Sequence, residues 1–137
     1  MNGIEWIVEA HGCALEALTD LRTLQALFQR IIDGLKLRPI GETHWHAFPH
    51  TGGITGLCLL AESHLAVHTF PEYRSLCLNL FCCVPRAEWD FDDVLREMMA
   101  ASSVQIRRVL RPYSSAEPAT DRSPRQSSDV SSGSRVG

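Results

Sequence analysis

Gly56-Leu57-Cys58-Leu59-Leu60-Ala61-Glu62-Ser63-His64-Leu65-Ala66-Val67-His68-Thr69-Phe70-Pro71-Glu72 is the stretch on which the reading of this chain turns. Its first five residues form an apolar run of the length and composition of a buried strand. Leu65 to Thr69 resumes extended structure, and Pro71 closes it, because proline has no amide hydrogen to give a ladder. Around these runs stand the hydroxyl of Ser63, the imidazoles of His64 and His68, and the carboxylates of Glu62 and Glu72. Such groups at the end of an apolar strand are costly to bury without partners. The stretch therefore reads both as sheet and as a candidate site.

Working outward, Ile54 to Leu60 is the full extent of the first strand, behind a turn at Pro49-His50-Thr51-Gly52-Gly53. Pro39 to Phe48 alternates, with His44, His46 and Phe48 on one face and Thr43, Trp45 and Ala47 on the other. Upstream, Leu21, Leu24, Leu27, Phe28, Ile31, Ile32 and Leu35 recur at helical spacing, which predicts an amphipathic helix of about five turns. Thr19 or Asp20 is its candidate N-cap, and Gly34 and Pro39 bracket its end. Ile4 to Ala10 is a short strand ending near Gly12. Downstream, Ser75 to Cys83 is a mostly apolar strand, expected near the sheet's centre, ended by Pro85-Arg86. Trp89, Phe91, Val94, Leu95 and Met98 mark a second helix, with Asp90, Asp92 and Asp93 at its start, where the helix dipole favours negative charge. Val104 to Leu110 alternates as a final strand.

This order predicts an α+β fold: a two-layer α/β sandwich, mainly an antiparallel sheet with two helices on one face. The other face lacks a helical cover unless a second subunit or a site lies there. From Pro112 onward the chain has almost nothing to bury. The expected organisation is one domain over residues 1–113 and a disordered tail over 114–137.

The totals exclude several classes. The chain has 137 residues and a formal net charge of -3, so no basic field argues for nucleic acid. No apolar run is long enough to span a bilayer, and Met1 to Trp6 lacks the basic start and apolar core of a signal peptide. The five cysteines, Cys13, Cys58, Cys77, Cys82 and Cys83, are odd in number, so reduced thiols and a cytoplasmic location are expected. Cys82 and Cys83, being adjacent, point to opposite sides of a strand, one to the core and the other toward a site.

Ser63 after Glu62 suits one uncommon chemistry. Attack of the Ser63 hydroxyl on the carbonyl of Glu62, with a donor for the oxyanion and a base for the Ser63 α-proton, cuts the main chain and leaves a terminal pyruvoyl group. Its ketone forms a Schiff base with a substrate amine and acts as an electron sink. Loss of CO2 then calls for a general acid. His68 lies within reach as the base if the chain folds back. A hydroxyl at Thr55 can serve the oxyanion, a thiol at Cys83 can be the acid, and Glu72 can accept hydrogen bonds from a substrate.

The run Glu62 to Glu72 closely resembles the processing-site motif of the short prokaryotic S-adenosylmethionine decarboxylase proenzymes. Gly53-Ile54-Thr55-Gly56 resembles that family's glycine–apolar–hydroxyl–glycine turn, and Asn79-Leu80-Phe81-Cys82-Cys83 its strand ending in a catalytic cysteine; Ile7 to Cys13 is a weaker echo of its first strand. The likeness covers residues 4 to 111. It implies a β-chain of residues 1–62 ending at Glu62 and an α-chain from Ser63, whose serine becomes the covalent pyruvoyl cofactor. It further implies His68 as processing base, Cys83 as proton donor, Thr55 as a processing helper and Glu72 as a ligand of the substrate ribose, with Phe48 the candidate to stack on an adenine. Processed protomers would pair into a homodimer, and the product would be the aminopropyl donor for spermidine synthesis. Asn79, Cys82 and Val84 stand where the family has aspartate, threonine and glycine, and Thr55 and Phe70 where serine and tryptophan are usual. These departures keep two alternatives open: a pyruvoyl decarboxylase of arginine or ornithine, or an uncleaved, non-catalytic binding subunit.

Taken singly, the same residues are ordinary. Ser63 and His64 could be strand-end turn residues, Cys83 a small core residue, and Glu72 a solvated turn carboxylate. No metal is expected: His44 and His46 share a strand face, but no CxxC pair and no HxxxH pair on a helix accompanies them. No G-x-S-x-G elbow surrounds Ser63, so a serine hydrolase is not indicated.

Overall fold

The computed structural model describes residues 1–61 and 63–115. Among them β1 (Asn2–His11), β2 (His44–Ala47), β3 (Ile54–Leu60), β4 (Ser63–Phe70), β5 (Ser75–Cys82) and β6 (Ser103–Pro112) form a six-stranded sheet. The strand order is β2-β3-β4-β5-β1-β6, with every pairing antiparallel. Helices α1 (Leu15–Leu18), α2 (Leu21–Leu35) and α3 (Phe91–Met99) make the second layer. The expected two-layer α+β sandwich is the fold, and β5 is interior, between β4 and β1.

Alternation explains which face is covered. Ile4, Trp6, Val8 and Ala10 of β1, Leu65 and Val67 of β4, and Leu76, Leu78 and Leu80 of β5 are buried together. They meet Leu24, Leu27, Phe28 and Ile31 of α2 and Phe91, Leu95 and Met99 of α3. Each of the Val, Leu, Ile, Phe and Met side chains among them contributes roughly 1.5–3 kcal/mol. A one-residue slip would drive Glu5 and Glu9, or His64 and His68, into that layer, so the register is held hard. No helix among the described residues covers the opposite face. By the pleat it carries Glu5, Ile7, Glu9, Thr55, Leu57, Leu59, His64, Ala66, His68, Cys77, Asn79 and Phe81. Leu57 and Leu59 are 51% and 58% exposed there.

Local details depart from the expectations. Asp20, not Thr19, caps α2: its carboxylate accepts from the Arg22 amide at 3.3 Å and the Thr23 hydroxyl at 2.8 Å. Gly34 does not end the helix. A Cβ at Gly34 would lie 2.4 Å from Trp89 Nε1, so this glycine makes room for an indole, and the left-handed cap is Lys36 (φ 55°). Trp89 in turn lies before α3 rather than within it, packed edge-on against Phe91 at 5.0 Å, and Asp90 is the cap. The alternating stretch before Phe48 is a strand only over His44–Ala47; Pro39 makes an isolated bridge to Leu60 instead. Leu15–Leu18 forms a single unforeseen helical turn on the covered side, and Pro71–Tyr73 a turn of 3-10 helix. The Gly53–Gly56 segment opens β3 rather than forming a turn. Its glycines permit close approach, because a Cβ at Gly56 would meet the Trp45 ring at 2.3 Å and one at Gly53 the Thr69 carbonyl at 2.7 Å. The greater part of the expected tail, residues 116–137, lies outside the described residues, as does Glu62.

Candidate active site

Leu60 pairs with Ser63, so β3 and β4 are joined by Ala61 and Glu62 alone. Tight two-residue hairpin loops favour Asn and Gly, which tolerate positive φ; here neither is present. The bond before Ser63 thus follows Ala61 and Glu62, neither of them a residue type that such a loop favours. The near side of the corner is tied down separately. The Ala61 amide donates to the Arg38 carbonyl at 2.8 Å and the Ile40 amide to the Leu59 carbonyl at 2.9 Å. Ser63 is half-buried, paired across to Cys82, with its hydroxyl 3.8 Å from the Cys82 sulfur. Cys82 is fully buried, whereas Cys83, at the strand end, is partly exposed. The Tyr113 phenol donates to the Cys83 carbonyl at 3.0 Å, holding that end against the C-terminal side of β6. The sequence thus places the candidate acid one residue beyond the cross-strand partner of Ser63.

Thr55, His68, Glu72 and Phe48 come together elsewhere. They line one cavity of about 430 Å³ with Phe70 and His50. Thr55 pairs with His68 across β3 and β4, and Thr55 Oγ1 lies 3.0 Å from His68 Nδ1. The His46 ring stands edge-on to Phe48 at 4.6 Å and 80°, which holds the phenyl at the cavity mouth. Beneath, the buried Thr69 hydroxyl donates to the Leu18 carbonyl at 2.8 Å and accepts from the Ile54 amide at 2.8 Å. One hydroxyl thereby locks the start of β3, next to Thr55, to β4, next to His68.

The expectation that the chain folds back to bring His68 beside Ser63 is not met within one protomer. β4 runs straight through both residues. Five residues at the strand rise put them about 16 Å apart, and odd spacing puts them on opposite faces. The constellation is therefore two clusters at opposite ends of one strand.

Two features escaped the sequence. On the open face the register sets His46, Thr55, His68, Cys77 and Glu9 in one row across five strands. Cys77 is exposed, yet partial desolvation first, and Glu9 second, push its thiol up, with Arg107 acting against them; it pairs across the strands with His68. Burial likewise raises the thiol of Cys13. The second feature links Glu5, Asn79, His64, Phe81 and Arg111. Two acidic residues four apart on one face of β1, Glu5 and Glu9, were the available signal, but only pairing identifies their partners. Among the described residues no group of three His, Cys, Asp or Glu side chains is arranged to hold a metal ion, and no helix is long and apolar enough to cross a membrane.

The family model described as S-adenosylmethionine decarboxylase matches residues 4–112. An S-adenosylmethionine decarboxylase proenzyme of Syntrophomonas wolfei is 31% identical over 108 residues, covering 77% of this chain and 82% of the relative. One from Archaeoglobus fulgidus is 32% identical over 77 residues, 56% of this chain and 67% of the relative. The crystal structure of the adenosylmethionine decarboxylase from Aquifex aeolicus shares the fold, with a TM-score of 0.68 at 18% identity over 86% of this chain and 97% of that one.

Proposed function

Because the chain belongs to the S-adenosylmethionine decarboxylase family, we propose that it is a self-processing decarboxylase of S-adenosylmethionine that cuts its own backbone between Glu62 and Ser63. Residues 1–62 become the β-chain, and residue 63, as a covalent pyruvoyl group, opens the α-chain. A pyruvoyl group is a serine terminus less one ammonia, so it needs no room beyond what Ser63 occupies, and residue 63 sits on a ladder fixed on both sides. When present, the group supplies an electrophilic ketone for a substrate amine and an electron sink for the departing carboxylate. The observation that carries the assignment is the cavity in which Thr55, His68, Glu72 and Phe48 converge, with Thr55 and His68 in hydrogen-bond contact.

The chain's own residues act as follows. Ser63 Oγ attacks the Glu62 carbonyl carbon, and the amide becomes an ester with the nitrogen of residue 63 freed as an amine. His68 removes the Ser63 α-proton, the β-chain leaves as its carboxylate, and water releases ammonia. His68 does this through Nε2 when Nδ1–H donates to Thr55, so Thr55 sets the tautomer. In the decarboxylation, Glu72 accepts from the ribose hydroxyls, Phe48 stacks on the adenine, and the Cys83 thiol returns a proton to the substrate carbon.

His68 of one protomer is about 16 Å from its own Ser63, and a base must lie within about 3 Å of the proton it takes. A two-fold pair of protomers with their open sheet faces together brings the corner of each over the cavity of the other. The exposed Leu57 and Leu59 on that face support such a pairing. The working unit is then a homodimer with two composite sites. The five free thiols support a reducing, cytoplasmic location.

Intact mass of the denatured protein tests this directly. Two fragments split before residue 63, the second lighter than a serine terminus by one ammonia, are expected. A single full-length chain that persists for days would refute it.

A further inference from the structure

A closed circuit of five side chains surrounds the residue that follows the cut. His64 Nε2 lies 2.8 Å from Asn79 Oδ1. Asn79 Nδ2 donates to one Glu5 carboxylate oxygen, and Arg111 donates to the other. The Arg111 guanidinium lies 5.6 Å over the Phe81 ring, and Phe81 stacks on the His64 imidazole at 5.9 Å and 30°. The circuit thus draws on β4, β5, β1 and β6.

Its polarity is determined. A carboxylate only accepts, so Asn79 must turn its NH2 to Glu5 and its oxygen to His64. His64 must then donate, which places its proton on Nε2. Arg111 neutralises the Glu5 carboxylate, whose side chain is only 14% exposed, so the chain of donors has a stable end.

We propose that His64 is a positioning residue for the chain end made by cleavage, holding residue 63 in register once Glu62 no longer restrains it. The proposal rests on the reading that the α-chain begins at residue 63. A new strand terminus frays unless it is tied down. The β-chain end has its own ties, through Ala61 to Arg38 and Ile40 to Leu59. Residue 63 has its ladder partners, and behind it the first side chain anchored across neighbouring strands is His64. A reactive carbon misplaced by about 1 Å costs about 100-fold in rate, so this anchor matters after the cut rather than during it.

The test compares cleaved wild type with His64→Phe, which keeps a stacking ring without the donor, and His64→Gln, whose amide nitrogen can donate at similar reach. Mass first establishes that wild type is cut; an uncut wild type overturns the function reading and this proposal with it, whereas the outcomes below, read on cut protein, bear on this proposal alone. In cleaved His64→Phe, hydrogen exchange at residues 64–66 should quicken about tenfold or more. Its kcat for S-adenosylmethionine should drop about 10- to 100-fold with KM little changed, and His64→Gln should restore most of both. Imidazole 15N shifts in cleaved wild type should report the Nε2–H tautomer, and Asn79→Leu should abolish that preference. Unchanged exchange in cleaved His64→Phe, or glutamine no better than phenylalanine, overturns the proposal. If His64→Phe stays uncut, cleaved Asn79→Leu carries the same exchange measurement. If both stay uncut, the proposal is also overturned, because the circuit then serves the cut itself.

Discussion

Co-expression of Ser63→Ala and His68→Ala chains tests the composite site at its weakest joint. Neither variant can cut itself: one lacks the hydroxyl and the other the base. If His68 served its own Ser63, mixing would change nothing. The separation along β4, about 16 Å, exceeds by several-fold the reach of a proton-transferring pair, which is why the proposed mechanism takes the base from the partner. Random pairing makes half the dimers mixed, and each mixed dimer has one site with both groups intact, about one quarter of all sites. Intact mass of differently tagged chains should show about half of the His68→Ala chains cut, and the Ser63→Ala chains uncut. His68→Ala chains that remain uncut in the mixture as they do alone would refute the reasoning. So would His68→Ala chains that process at the wild-type rate without a partner.

Other outcomes follow from particular side chains. Cys83→Ala should still be cut but should decarboxylate about 100-fold or more slowly; normal turnover to the usual product would remove Cys83 as proton donor. Thr69→Val strips partners from the Leu18 carbonyl and the Ile54 amide and should destabilise the fold by about 2–4 kcal/mol, read from urea unfolding; an unmoved midpoint contradicts the lock assigned to it. Cys77 has a raised pKa, so the folded form keeps a proton that the unfolded form loses first. Its contribution to stability is whole below the unfolded value of 9.0 and fades as pH rises through the folded one. Alkylation of Cys77 at pH 9 should therefore be slower than that of an unstructured thiol, and Glu9→Gln should speed it; no acceleration would show that Glu9 does not act on the thiol.

The strands and the main helix were legible because their signals are local. Leu24, Leu27, Phe28 and Ile31 repeat at the helical period, and Leu76, Leu78 and Leu80 at the strand period, whatever lies around them. Gly34 shows where that stops. Near a helix end a glycine reads as a cap, but here it faces Trp89, more than fifty residues away in the chain. The candidate site divides the same way. Thr55, His68, Glu72 and Phe48 were picked singly, and they do share a cavity.

Residue types, periodicity and the eleven-residue stretch from Glu62 to Glu72 carry the family, the layer order and the chemistry, because each depends on neighbours along the chain. Pairing decides the rest. Strand rise is additive, so five residues in β4 separate Ser63 from His68 on any straight path, and no inspection of types reveals whether the path bends. Register brings Glu5, Asn79, His64 and Arg111 into one circuit from four strands, and contacts between residues so far apart in the chain exist only once the sheet has closed.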